Sequence, residues 1–100
     1  MVKVFISQPM VDKTNQQIEN ERAEAIKKIK ELYLGTEVEI IDSFFKDAPH
    51  DARPLWFLGK SIQLLSTADA AYFIKGWEQY RGCRIENECA RQYGIKTFEE

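Results

Sequence analysis

The chain opens on a short apolar run, Val2 to Ser7, rich in β-branched residues and stopped by Gln8-Pro9. A run of that length bounded by a breaker predicts a buried strand followed by a loop. The period then changes. Apolar side chains recur at Ile18, Ala25, Ile26, Ile29, Leu32 and Tyr33, mostly three and four apart, as one face of a helix requires. Thr14 or Asn15 is placed to cap that helix, Glu24 and Lys28 form a favourable pair on its outer side, and Gly35 closes it. Glu37 to Ile41 predicts a second strand, ending in Asp42-Ser43-Phe44, and Phe45 to Arg53 reads as a loop broken by Asp47, Pro49, His50 and Asp51. Pro54 suits the first turn of a second helix, with Leu55, Leu58, Ile62 and Leu65 along one side. Trp56 and Phe57, near its start, fit the core or a dimer face. Ala68 to Ile74 predicts a third strand, left through Lys75-Gly76-Trp77. Arg81 to Tyr93 predicts a third helix ended by Gly94, and Ile95 to Phe98 a fourth strand.

Strands alternating with helices point to an α/β fold, a parallel sheet with helices on both faces. Right-handed crossovers favour a flavodoxin-like three-layer α/β/α sandwich with strand order 2-1-3-4. Residues 1–100 then make a single domain. In such sheets the ligand crevice opens at the carboxyl ends of the strands where the order reverses, here the first and third.

Composition narrows the partners. The net charge is −2 and no basic block interrupts the chain, so a nucleic-acid backbone is not an expected partner. No apolar run approaches a membrane span or a signal-peptide core, and the first residues pass straight into a strand, which predicts a cytoplasmic protein. Cys83 and Cys89 lie six apart on the predicted third helix. That is a rise of about 9 Å, beyond the roughly 7 Å limit for bridged α-carbons, so they are not expected to pair. One histidine and no CxxC argue against a zinc site, and no metal or organic cofactor is expected. A chain of 100 residues has a thin stability margin, and pairing of subunits into a homo-oligomer would widen it.

Three loops converge on the predicted crevice: Ser7-Gln8-Pro9-Met10, Asp42-Ser43-Phe44, and Lys75 to Gly82. Ser7 and Gln8 can meet a sugar or phosphate, Met10 can cover a base, and Asp42 either holds a sugar hydroxyl or is an ordinary turn residue. Gly76 and Gly82 relax the backbone of the third loop. Trp77 either stacks on a nucleobase or packs at an interface. Arg81 and Arg84 either hold a phosphate near the helix start or are solvated. Glu86 falls near the beginning of the third helix, where free N–H groups and the helix dipole favour an ionised carboxylate. Such a carboxylate serves as a nucleophile in glycosyl chemistry, although glutamates are enriched at helix starts for stability alone. Glu88 lies about 200° around the helix from Glu86, so the two are not a catalytic pair.

The stretch from Lys75 to Gly94, with Gly82, Glu86, Ala90 and Gly94 four apart, resembles the nucleoside 2-deoxyribosyltransferase superfamily, closest to its short bacterial and phage members. The opening Lys3-Val-Phe-Ile-Ser-Gln-Pro-Met10 and Ala68-Asp69-Ala70 before the third strand extend the likeness over nearly the whole chain. The resemblance implies a flavodoxin-like core that binds a nucleoside or nucleotide, with Glu86 attacking the anomeric carbon. It also implies a departure. The transferases carry an aspartate, thought to handle the base, where this chain has Ser61, and C-terminal residues of a neighbouring subunit help close their sites, whereas this chain stops at Glu100. Two functions follow as expectations: cleavage or transfer of the N-glycosidic bond of a (deoxy)nucleoside or nucleotide through Glu86, or a non-catalytic nucleoside- or nucleotide-binding module on the same fold. A vestigial interaction protein is the third.

Overall fold

The computed structural model describes residues 1–43 and 48–100, so the expectations placed on Phe44, Phe45 and Asp47 lie outside the described residues. The elements are β1 (Val2–Ser7), α1 (Asn15–Leu32), β2 (Val38–Ile40), α2 (Pro54–Leu65), β3 (Ala70–Phe73), α3 (Arg81–Gln92) and β4 (Lys96–Glu99), with a 3-10 turn at Trp77–Gln79. All pairings are parallel and the sheet order is β2-β1-β3-β4, the flavodoxin-like order that the alternation predicts.

Burial explains why β1 and β3 read as continuous apolar runs. A parallel sheet covered on both faces has no polar side. Val4 and Ile6 of β1, with Ala70 and Tyr72 of β3, pack against Ala25 and Ile29 of α1. Phe5, Ala71 and Phe73 point the other way, onto Leu65 of α2 and Ala90 of α3. The sheet therefore carries α1 on one face and α2 with α3 on the other. At the opposite end from the crevice, Asp69 ties β3 to β1. Its amide donates to the Lys3 carbonyl, and its carboxylate accepts from the Lys3 amide, both at 2.8 Å.

The helix ends follow side-chain chemistry. Thr14 caps α1 in a reciprocal box: its hydroxyl accepts from the Gln17 amide, and the Gln17 side chain accepts from the Thr14 amide. At the end of α3 the Ile95 amide bonds the Ala90 carbonyl and the Gly94 amide bonds the Arg91 carbonyl. With Gly94 at φ +74° this is the paired closure that left-handed glycine permits. It uses Ile95 as a turn residue, which shifts β4 one residue later than predicted.

Two features depart from the sequence reading. Leu55 does not join the buried side of α2. It is 75% exposed, Phe57 is 39% exposed, and Leu65 is the one residue of that helix that is fully buried. In the β1–α1 loop, Asp12 adopts φ +62°, inside a turn closed by the Lys13 amide on the Met10 carbonyl. A non-glycine residue there costs about 1 kcal/mol. Asp12→Gly is therefore expected to stabilise the fold by several tenths of a kcal/mol to about 1 kcal/mol, read as a higher urea midpoint; a lower midpoint would show that the Asp12 side chain repays its strain.

Glu100 folds back over the end of β3. Its amide donates to the Phe73 carbonyl, and its carboxylate accepts from the Lys75 amide, Tyr72 Oη and Lys28 Nζ. Burial alone would raise this carboxyl, but those donors outweigh it and hold it below the usual glutamate range. The same contact and burial push the Tyr72 phenol well above its ordinary value. Among the described residues no helix is long and apolar enough to cross a membrane.

Candidate functional site

The topology brings the site together at the switch between β1 and β3. Ser7 is the last residue of β1 and stands in register with Phe73 at the end of β3. Alternation along β1 puts Ser7 on the same face as Phe5, the face covered by α2 and α3. There its hydroxyl donates to Glu86 Oε1 at 2.6 Å, and both side chains are buried. Ser61, from α2, lies close enough to the same carboxyl to oppose the effect of its burial. Three elements thus converge on one carboxyl group.

Glu86 lies in the second turn of α3, on the face it shares with Cys83, Asn87 and Ala90, all buried. This corrects the expectation that free N–H groups at the helix start hold the carboxylate ionised. By the sixth helical residue the amides are already bonded within the helix. Burial is the larger influence, and it raises the Glu86 carboxyl above its ordinary value while the hydroxyls of Ser7 and Ser61 pull the other way. Its surroundings are therefore hydroxyls and apolar side chains, an environment that makes a carboxylate more basic when it does ionise. Cys83, one turn earlier, also touches Ser7. Burial pushes its thiol up, with Ser7 and Lys13 opposing and Glu86 reinforcing, so it remains a protonated neighbour. Lys13 is held nearby through an ion pair with Glu21 at 2.7 Å.

The remaining candidates divide by face. Gln8, next after Ser7, turns toward α1, where Nε2 donates to the Ile18 carbonyl at 2.7 Å. That bond fixes the amide and leaves Gln8 Oε1 buried with no partner among the described residues. Met10 is exposed at the tip of the same loop. Asp42 follows β2 and carries its charge beside Arg22 of α1, whose guanidinium bonds the Ile41 carbonyl. It belongs to the α1 side, not to the Ser7–Glu86 cluster. Gly76 takes φ +93° at the exit from β3, the conformation that starts the 3-10 turn. Trp77 then tilts against Phe73, centroids 5.4 Å apart, and packs on the α2–α3 core. Its indole Nε1 is buried with no partner among the described residues. The ring packs within one chain, a third role beside the stacking and interface roles considered from sequence. Gly82 is half-buried in the first turn of α3. Arg81 is exposed, and Arg84, also exposed, donates back to the Glu78 carbonyl at 2.9 Å. Glu88 pairs with Arg91 on the outer face, well apart from Glu86.

The sequence reading marked Ser61 only as the place of the transferases' aspartate, and missed Cys83 as a neighbour of Glu86. For Cys83 a signal existed: Cys83, Glu86, Asn87 and Ala90 sit three, four and seven apart, which puts the glutamate on an inward stripe. Ser61 stood out through the resemblance alone, since serines on helix faces are common. Among the described residues no cluster of three or more His, Cys, Asp or Glu side chains could hold a metal ion. Two shallow hollows lie elsewhere, one between α1 and β4 beside Lys28, Leu32 and Phe98, the other ahead of α2 beside Pro49, Ala52 and Trp56. Compared with known protein families and with curated proteins, the chain matches no family model and no curated sequence.

Proposed function

We propose that the protein cleaves or transfers the N-glycosidic bond of a (deoxy)nucleoside or nucleotide, with Glu86 as nucleophile. The observation that carries this reading is the buried Glu86 carboxyl at the β1–β3 switch point, oriented by Ser7 Oγ at 2.6 Å. The resemblance to nucleoside 2-deoxyribosyltransferases supplies the reaction class. In the proposed sequence a Glu86 oxygen forms a bond to the anomeric carbon as the carbon–nitrogen bond breaks. The electron pair leaves with the base, which takes a proton from water. Water or a second base then attacks the same carbon, and the ester to Glu86 breaks with return of the free carboxylate. Ser7 donates to the carboxylate and positions it, Ser61 stands beside it, and Trp77 and Met10 border the base.

A nucleophile must be ionised, and burial lifts Glu86 above the ordinary range. Activity is therefore expected to fall on the acid side of the pH profile, with the midpoint of that limb above about 4.3, the reference glutamate value. Incubation with pooled deoxynucleosides and deoxynucleotides, followed by chromatography for free base across pH, measures both substrate and limb. No base from any member of the pool rejects the reading.

One observation favours the second reading, a module that binds a nucleoside or nucleotide without cleaving it. Burial biases Glu86 toward its neutral acid, a form that donates a hydrogen bond and does not attack. A rise in melting temperature with a nucleoside, without release of base, is the result that reading expects.

A further inference from the structure

We infer that Asn87 and Glu99 are positioning residues for Glu86: their hydrogen bond is the second of two ties that hold α3 at one rotation and so aim the carboxyl. Ser7, Phe73 and Glu99 stand in register across β1, β3 and β4, so their side chains share the face covered by α2 and α3. The two ends of that row lie about 9.5 Å apart, twice the spacing of neighbouring strands. Consecutive residues tie α3 to both ends. Glu86 accepts from Ser7 Oγ at 2.6 Å, and Asn87 Nδ2 donates to Glu99 Oε1 at 3.1 Å. Side chains one residue apart on a helix diverge by about 100°, which lets the pair reach to opposite sides of the buried Phe73.

Asn87 is 2% exposed, and asparagine is not there for helix propensity. Both ends of its amide are used. Oδ1 accepts from Arg91 Nε at 2.9 Å, one turn further along α3, and Arg91 is itself paired with Glu88. With the oxygen so engaged the nitrogen faces Glu99, and turning the amide over would lose both bonds. One tie leaves a helix free to roll about its contact, whereas ties to two strands do not. The carboxyl stands about 5–6 Å from the helix axis, so a roll of about 15° carries it roughly 1.5 Å. That takes the Ser7 bond out of range, and a misplacement of that size costs a reaction about a hundredfold.

The test compares Glu99→Ala, which removes the tie, with Glu99→Gln, whose Oε1 still accepts from Asn87. Glu99 is exposed on an edge strand, so neither substitution threatens the fold; circular dichroism checks it. Two quantities are read: the rate of base release, which rests on the glycosidic reading, and the titration of the Glu86 carboxyl carbon by NMR, which does not. In Glu99→Ala, kcat is expected to fall about tenfold or more with KM held within about twofold. The Glu86 midpoint is expected to drop by about half a pH unit or more toward the ordinary glutamate value, because a carboxyl released from its buried place regains water. Its neighbours Ser7, Ser61 and Cys83, and the nearby Lys13, are the same in every variant. Glu99→Gln keeps the wild-type rate and midpoint. An unchanged midpoint in Glu99→Ala overturns the inference whatever the rate does. So does an equal shift in Glu99→Gln, which would trace the effect to the lost charge. Absence of base release from wild type rejects the glycosidic reading and leaves the titration to decide this one.

Discussion

Replacing Glu86 with glutamine is expected to leave the protein inactive and more stable at neutral pH. The amide keeps the shape of the carboxyl, and Ser7 can still donate to its oxygen. It does not attack an anomeric carbon. A loss on the order of a thousandfold or more in base release follows, about 4 kcal/mol of barrier. The stability change has the opposite sign. Because burial raises the folded-state pKa of Glu86 above its unfolded value, its favourable contribution is complete below the unfolded pKa and is lost as pH rises through the folded pKa. The ionised form is therefore the one the fold disfavours, as is common for groups at functional sites. Removing that charge is expected to yield about 0.5–2 kcal/mol, seen as a higher melting temperature at pH 7 that converges with wild type in acid. A glutamine variant that releases base at the wild-type rate would remove Glu86 from the chemistry. One that is less stable at pH 7 would show that its environment favours the charge.

The second large effect concerns the wall behind the site. Phe73 ends β3 opposite Ser7, is fully buried, and supports the Trp77 ring. Phe73→Ala leaves a cavity in the middle of the α2–α3 core and is expected to cost about 3–5 kcal/mol. Against a total of about 5–15 kcal/mol for a domain, that leaves a marginal fold. Urea unfolding should show a lowered midpoint with an unchanged slope, and the tryptophan emission should shift to the red as Trp77 loses its support. A cost below about 1.5 kcal/mol would mean that Leu65 and Trp77 close the gap by themselves.

Much of the fold was legible because buried parallel strands and an amphipathic helix leave strong periodic marks. Val2–Ser7 was bounded on one side by the chain start and on the other by Gln8-Pro9, and both limits hold. The capping chemistry of Thr14 and Gln17 likewise marks the start of α1. Less legible was what depends on the third dimension. Leu55 sits at the shoulder of α2, where its apolar character and its actual exposure disagree. Glu86 was legible as a candidate but not in its electrostatics. Proximity to a helix start suggested an ionised group, whereas depth under α2 and α3 decides the matter, and depth is set by packing that no local pattern states. The pairing of Ser7 with Glu86 follows from strand parity plus the sheet order, so it was within reach of the sequence once the topology was taken seriously. The place of Ser61 was marked only by the resemblance, because its approach to Glu86 depends on how α2 rotates about its axis.

The position of β1 also has a consequence for the order in which the protein comes into being. β1 precedes both of its partners along the chain and is an inner strand, hydrogen-bonded on one side to β2 and on the other to β3. An emerging chain can cover one edge of this apolar strand once β2 has left the ribosome, but the other edge stays open until residues past 70 follow. The Ser7–Glu86 bond spans 79 positions and waits longer still. Contacts of that span make assembly slow and late. A newborn chain that stalls between β2 and β3 would present β1 to other chains, so this protein should depend on chaperones most between the emergence of β2 and that of β3, before Glu86 has been added.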